Sequence, residues 1–298
     1  MIDTTANLVI SKSNEVFLKI NTEPHIEYEL RDHFKFEVPN AKFMPQYRGR
    51  NWNGEIHLYD MRSKQIYVGL LDKIVQFCDN YGYSYKFEDN KFYGTPFEEN
   101  NNISLEGVKD YMHSICSHTP RKYQVEGVYG ALKHNRKLLI SPTASGKSLM
   151  IYSLVRYYVD RGEKILLVVP TTSLVEQMYK DFLDYGWDAD SYCHRIYSGR
   201  EKSNEAPVTI TTWQSVYKLE RSFFEEYGVI IGDEAHLFKS KSLIQIMTKL
   251  HHAKYRFGFT GTLDGTQTHK WVLEGLFGPS YKVTRTDELM RQGHLSQL

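Results

Sequence analysis

The chain has 298 residues, 41% hydrophobic and 24% charged, and a formal net charge of +1. Those figures describe a soluble globular protein long enough for two domains and a sizeable core. They exclude a strongly basic tail as the means of holding nucleic acid. Residues 1–118 carry an excess of acids and residues 119–298 an excess of bases, so any such contact must come from local patches.

The first residues, MIDTTANLVISKSNEV, lack the basic stretch and long apolar run of an export signal. From there to about residue 93 the pattern is that of a small α+β unit. EVFLKI and EIHLYD alternate like half-buried strands, and QIYVGLL is a third. LLDKIVQFCDNYG spaces Leu71, Ile74, Val75 and Cys78 along one helix face, with Gly82 to stop it. Within this unit, KFMPQYRGRNWNGEIHLY (42–59) mixes Lys42, Arg48 and Arg50 with Phe43, Tyr47, Trp52 and Tyr59. Such cations neutralise phosphates, and such aromatics stack on bases or wedge a junction. Equally, a structural hairpin would bury its Trp and Tyr and leave the arginines solvated.

GTPFEENNNIS breaks every period and is expected to be a linker; SLEGVKDYMHSI after it is expected to be a short bridging helix, so that 94–118 joins two domains. His113, Cys116 and His118 lie close together there, but without a CxxC partner the trio reads as incidental rather than as a zinc site. Cys78, Cys116 and Cys193 are too few and too far apart for a disulfide framework, which points to a reducing compartment.

From about 119 the texture changes. KLLIS, KILLVVP, PVTITTW, GVIIGDE and RFGFTGT are nearly continuous in β-type apolar residues and alternate with helical patterns. Strands buried on both faces of a parallel sheet look like this. Even the longest run, KILLVVP, is far too short to span a bilayer. TTSLVEQMYKDFLDYG offers Ser173 and Glu176 as a capping box, an apolar stripe of Leu174, Val175, Met178 and Phe182, and Gly186 as a stop. The predicted fold class is α/β: a doubly wound parallel sheet preceded by a small α+β domain, with ligands at the carboxyl ends of the strands.

LLISPTASGKSLM (138–150) follows a predicted strand and opens a predicted helix with Leu149, Leu154, Val155 and Tyr158 inward. It nearly matches the phosphate-binding pattern G-x-x-x-x-G-K-[ST], except that Ser141 stands at the leading glycine. In that context backbone N–H groups and the positive helix end face an anion. Lys147 can reach the β/γ-phosphates of a nucleotide, and the Ser148 hydroxyl can ligate Mg²⁺. A serine suits the leading position if its φ stays negative; the alternative is a helix start with a chance Gly-Lys-Ser. VIIGDEAH ends another apolar strand with Asp233 and Glu234, 85 residues after Ser148. One acid there can hold the Mg²⁺ shell while its neighbour positions and deprotonates an attacking water.

These segments resemble, in order, the motifs of the superfamily 2 helicases and translocases. PTASGKS (142–148) is similar to motif I, where that superfamily often departs from the leading glycine; VPTTSLVEQM (169–178) to motif Ia; SGR (198–200) to motif Ib; TTWQS (211–215) to the next strand-end motif; DEAH to motif II; and TGT (260–262) to motif III. PRKYQ (120–124) resembles the adenine-recognition motif. The accessory segment YELRDHFKFEVPNAKFMPQYRGRNWNGEIHLYD, followed by VGLLDKIVQFCDNYGY, resembles the amino-terminal domain of the UvsW-type recombination helicases of T4-like phages.

The resemblance implies a RecA-like, P-loop NTPase lobe over 119–285. It implies an ATP site built from Arg121, Tyr123 (stacking), Gln124 (base edge), Thr143, Ala144, Ser145, Gly146, Lys147 and Ser148, with Mg²⁺ on Ser148 and Asp233. Catalysis would rest on Lys147, Asp233 and Glu234, and coupling on His236, Thr260, Gly261 and Thr262. Nucleic acid would meet Pro170, Thr171, Thr172, Gly199, Arg200, Thr212 and Trp213, with Arg48, Arg50 and Trp52 on the accessory domain; Trp213 is equally suited to core packing. The implied activity is ATP-driven unwinding and branch migration of forked and four-way DNA and of R-loops containing RNA–DNA hybrid, in the cytoplasm of a bacterial host. Duplex translocation, a restriction-type motor and an RNA helicase remain open, as does a module that binds ATP and DNA without turnover. DELMRQGHLSQL resembles the passage into a second lobe, so residues 286–298 are expected to begin a connection to motifs IV to VI in a longer enzyme.

Overall fold

The computed structural model describes residues 6–142, 145–197, 205–238, 240–263 and 269–284. The chain divides into two compact units, Met1–Phe97 and Glu98–Leu298. Among the described residues no helix is long and apolar enough to cross a membrane.

The first unit runs β1 (Leu8–Lys12), β2 (Phe17–Thr22), α1 (Pro24–His33), β3 (Lys35–Glu37), α2 (Pro45–Arg48), β4 (Glu55–His57), β5 (Gln65–Tyr67), α3 (Leu71–Tyr81) and β6 (Tyr85–Glu88). A four-stranded sheet has the order β5-β2-β1-β6, with β1 antiparallel to β2 and parallel to β6; β3 and β4 form a separate hairpin. Leu8, Ile10, Leu18 and Ile20 of the sheet are fully buried, as are Ile26 and Leu30 of α1 and Ile74 and Phe77 of α3. Each such side chain contributes roughly 1.5–3 kcal/mol when removed from water. Helix α3 ends where the sequence predicts: Gly82 takes a left-handed φ of 71° and closes the last turn.

The second unit runs α4 (Leu105–Ile115), α5 (Lys122–His134), β7 (Arg136–Ile140), α6 (Lys147–Val159), β8 (Ile165–Val169), α7 (Thr172–Asp184), α8 (Ala189–Tyr192), β9 (Cys193–Ile196), β10 (Val208–Thr212), α9 (Trp213–Val216), α10 (Arg221–Phe224), β11 (Val229–Gly232), α11 (Ser240–Lys249), β12 (Tyr255–Thr260), α12 (Lys270–Phe277) and β13 (Ser280–Lys282). The seven strands lie in the order β13-β7-β12-β11-β8-β10-β9, and every pairing is parallel. This is the RecA-like sheet expected from the alternating pattern. Helix α4 packs on α5 and α6 through buried Val108 and Met112, so the element expected as a bridge is part of this unit.

One detail differs from the sequence reading. Thr171, not Ser173, caps α7: it is extended at φ −135°, and its hydroxyl accepts from Leu174 N. The helix therefore starts two residues earlier, and Glu176 is released from capping to pair with Arg195 and Tyr197 instead. Arg256 is charged yet fully buried. Its guanidinium donates to the carbonyls of Met247, Leu250, Ala253 and Leu276, joining β12 to the carboxyl ends of α11 and α12, where the helix dipoles favour a cation.

Candidate functional site

Strands β7, β12 and β11 are neighbours, so the segments that follow them emerge side by side at one edge of the sheet. Ser141 N donates to Thr260 O across that edge at 2.8 Å. Ser141 is fully buried and is absent from the described non-glycine residues with positive φ, so its position does not demand glycine. Its hydroxyl instead shares a 2.6 Å hydrogen bond with Ser145 Oγ, and Ser145 Oγ donates to Pro142 O at 2.6 Å. The loop is stapled by serine hydroxyls.

Gly146 is not replaceable in the same way. Its φ is +76°, and a Cβ there would lie 2.3 Å from Gln124 Nε2. Gln124 is 4% exposed. Its Oε1 accepts from Arg121 N at 2.8 Å, and its Nε2 donates to Ser145 O at 2.9 Å and to Gly146 O at 3.4 Å. A buried amide must satisfy both ends, and this one does so on the loop. Without nucleotide, Gln124 is thus a brace between α5 and the cradle. Tyr123 OH joins it by donating to Ser145 O at 3.0 Å, and Arg121 donates to the same hydroxyl at 2.7 Å.

Lys147 opens α6 and meets the carboxylate of Glu234 directly. Glu234 is held at φ 48°, ψ 44°, a left-handed conformation that is strained for a residue with a side chain. Its N–H donates to Asp233 Oδ1 at 2.9 Å. His236 Nδ1 lies 2.8 Å from Thr260 Oγ1 and 3.4 Å from Glu234 Oε2, which links the segment after β11 to that after β12. Thr260 Oγ1 also donates to Thr262 O at 2.7 Å. Burial, and then the Lys147 charge, hold the His236 imidazolium down. Burial also lowers the Lys147 pKa, against the raising effect of Asp233.

Burial pushes the Asp233 carboxyl up to about 6, with Lys147 opposing. The sign of the consequence follows by linkage. Between the unfolded carboxyl value and about 6 the folded state binds more protons, so stability falls as pH rises through that interval. Asp233→Asn is therefore expected to melt higher than wild type near neutral pH without nucleotide. The gap should shrink as pH falls from about 6 to about 4.5, as scanning fluorimetry would show. No gap, or one that widens toward acid, contradicts the assignment.

Ser148, the expected Mg²⁺ ligand, has its hydroxyl 2.7 Å from Tyr185 OH at the end of α7. Nearby Asp181 has its pKa raised by burial, with the Ser148 hydrogen bond opposing. Neither Tyr185 nor Asp181 was singled out from sequence; both lie more than thirty residues from Ser148, and no local pattern marks them. Thr143, Ala144, Gly199 and Arg200 lie outside the described residues.

A second row of groups lies on the β8 and β10 side. Gln214 Nε2 donates to Pro170 O at 3.2 Å, fixing α9 to the segment that leads into α7, and Thr212 Oγ1 lies 2.9 Å from Ser215 Oγ. Thr171 and Thr172 are exposed, and Trp213 is half-buried. Gly261 follows β12 at the sheet edge. In the first unit, Arg48, Arg50 and Trp52 line an open groove of about 700 Å³ together with Lys42 and Tyr47. Both arginines are exposed; Trp52 is half-buried, and its Nε1 donates to Glu55 O at 2.7 Å. The tryptophan thus belongs both to the hairpin and to the groove.

Comparison with known proteins gives this arrangement relatives. A family model described as "Type III restriction enzyme, res subunit" matches residues 117–265, and one described as "DNA helicase UvsW, N-terminal" matches residues 11–88. The ATP-dependent DNA helicase uvsW of Enterobacteria phage T4 is 33% identical over 292 residues, covering 94% of this chain and 57% of that protein. The DNA 3'-5' translocase XPB2 of Sulfurisphaera tokodaii is 30% identical over 172 residues, 57% of this chain and 36% of that protein. A crystal structure of the UvsW helicase from bacteriophage T4 superposes with a TM-score of 0.82 at 32% identity, covering 93% of this chain and 99% of that one. The chain thus spans 57% of the length of the T4 helicase and 36% of the Sulfurisphaera tokodaii translocase.

Proposed function

The chain belongs to the UvsW family of superfamily 2 DNA helicases, and from this premise we propose that it carries the first ATPase lobe and a DNA-binding accessory unit of a motor acting on branched DNA. The observation that carries the reading is the convergence of Lys147, Asp233, Glu234, His236 and Thr260 at the carboxyl edge of three adjacent parallel strands. ATP phosphates would sit on the N–H groups at the start of α6, with Lys147 against the β/γ-phosphates. Glu234 would orient and deprotonate the attacking water. Its present contact with Lys147 opens when phosphate takes the ammonium. His236 and Thr260 would carry the change at the phosphate to the strand next door.

The donor set suits Mg²⁺: a hydroxyl at Ser148 and a buried carboxylate at Asp233 whose charge is destabilised until a cation faces it. When bound, the ion neutralises developing phosphate charge. Ser148 must exchange its bond to Tyr185 to take part.

Nucleic acid would run over Pro170, Thr171, Thr172, Thr212 and Trp213, held by its phosphates so that direction is fixed without reading sequence. By the family resemblance the substrates are forked and four-way DNA and R-loops in a bacterial host cytoplasm. A strand-displacement assay on a labelled fork, run on the full-length protein, tests this. ATP-dependent release of the strand is expected, and its absence under conditions where ATP is hydrolysed overturns unwinding. The similarity of the lobe to a restriction subunit and to a DNA 3'-5' translocase favours a second reading, movement along duplex without separation. That reading predicts displacement of a triplex-forming strand in place of fork opening.

The accessory groove makes a separate prediction. Each phosphate contact contributes about 0.9 to the slope of log K against log salt on B-DNA. Replacing Arg48 and Arg50 together by Ala is expected to lower that slope by roughly two, equally on unrelated sequences. Trp52→Ala is expected to cost about 1–3 kcal/mol on forked DNA and much less on plain duplex. Anisotropy titrations at several salt concentrations check both; an unchanged slope in the double variant removes DNA binding from this groove.

A further inference from the structure

Beyond Trp213 the surface of the second unit continues into a groove of about 490 Å³ between Tyr217 and α11. It is lined by Tyr217, Lys218, Lys241, Ser242, Gln245 and Lys249. Every one of these side chains can donate a hydrogen bond, and none is a carboxylate. Lys249 is committed to the scaffold: its ammonium donates to Tyr217 O at 3.0 Å and to Leu219 O at 2.6 Å, which fixes the wall of the groove. Lys218 lies 5.4 Å from the centre of the Tyr217 ring. Among the described residues, neither Lys218 nor Lys241 forms an ion pair with a carboxylate. Two acids of the neighbouring segment are engaged elsewhere, Glu225 with Arg221 at 3.2 Å and Glu226 with Lys164 at 2.6 Å. The groove is cationic, rich in donors and open.

Its position gives it an occupant. Trp213 begins α9 directly after Thr212 and meets the Tyr217 ring edge-on at 5.9 Å. Gln214 ties the same short helix to Pro170. Tyr217 therefore joins the strand-end groups at Trp213 to the lining of the groove. A free phosphate would have no use for the two aromatic rings along this path, whereas a polynucleotide offers phosphates to the lysines and base faces to the rings.

We propose that this groove is a second site for the nucleic-acid backbone, in which Lys218 and Lys241, assisted by Ser242 and Gln245, hold phosphodiesters of the strand or duplex that leaves the loops beside Trp213. The inference rests on the reading of this lobe as a DNA-dependent motor, and it adds a patch outside that motor's motif series. The lysines meet phosphate and the rings meet base faces of any kind, so the groove lengthens the footprint and carries no sequence preference.

The test is salt-dependent anisotropy on the full chain with labelled duplexes of two unrelated sequences. Wild type is compared with Lys218→Ala/Lys241→Ala and with Lys218→Arg/Lys241→Arg; thermal melting and binding of a fluorescent ATP analogue confirm that the variants fold. The alanine pair is expected to flatten the log K against log salt slope by about 1.5–2 on both sequences. The arginine pair, which keeps both charges, is expected to retain the wild-type slope. A wild-type slope in the alanine pair overturns the groove while leaving the motor reading intact. A flattened slope in the arginine pair as well shows a structural effect in place of phosphate contact and also overturns it. Failure of the wild-type chain to bind either duplex at low salt overturns the groove together with the reading on which it rests.

Discussion

Lys147→Ala in the full-length protein is expected to reduce ATP turnover by roughly 10²–10³-fold, the loss of about 2.7–4 kcal/mol typical of one preorganised charge stabiliser. The side chain stands in the first turn of α6, against Glu234 and within electrostatic reach of Asp233. Burial disfavours its charge and Asp233 partly offsets this, so the ammonium waits in a low-dielectric site where a phosphate would feel it strongly. Its removal also strips Asp233 of a charge that lowers its pKa, leaving that carboxyl harder to ionise. Phosphate release under saturating ATP measures the first effect. Turnover near the wild-type rate would show that the cradle is not a nucleotide site.

Glu234→Gln is expected to separate binding from chemistry. The amide keeps the shape of the side chain but cannot accept a proton from water, and loss of a positioned base lowers turnover by about 10²–10⁴-fold. Nucleotide affinity is expected to stay equal or to tighten, because Lys147 no longer has to leave a carboxylate to meet phosphate. The left-handed backbone at Glu234 is retained, since glutamine has the same steric demand as glutamate. A fluorescent ATP analogue reports affinity, and phosphate release reports turnover. Equal loss of both would make Glu234 a structural residue.

What the sequence shows and what it hides differ for a physical reason. Strands β8, β10 and β11 are buried along their whole length, so their apolar runs are unbroken and legible. Edge strand β9 buries only Cys193 and Ile196, and β13 buries none of its residues, so neither shows a periodic signal. In the small unit, α1 buries only Ile26, Glu27 and Leu30, too narrow a stripe to announce a helix. The cradle and the acids after β11 could be read because a strand, a turn and a helix start are local. The brace from Gln124 to Gly146 and the Ser148 bond to Tyr185 could not, since they are side-chain contacts to residues far along the chain. Ser141 shows both sides: the sequence marks it as the departure from the pattern, and only the folded loop reveals the paired serines that take the glycine's place.

The central claim is that ATP hydrolysis at Lys147 and Glu234 is coupled to DNA held by the same lobe. Phosphate release by the full-length protein, with and without forked DNA at saturating ATP and Mg²⁺, tests it most directly. The account predicts slow hydrolysis alone and stimulation by the fork, lost in Lys147→Ala. Hydrolysis that is indifferent to DNA, or that survives in Lys147→Ala, would contradict it.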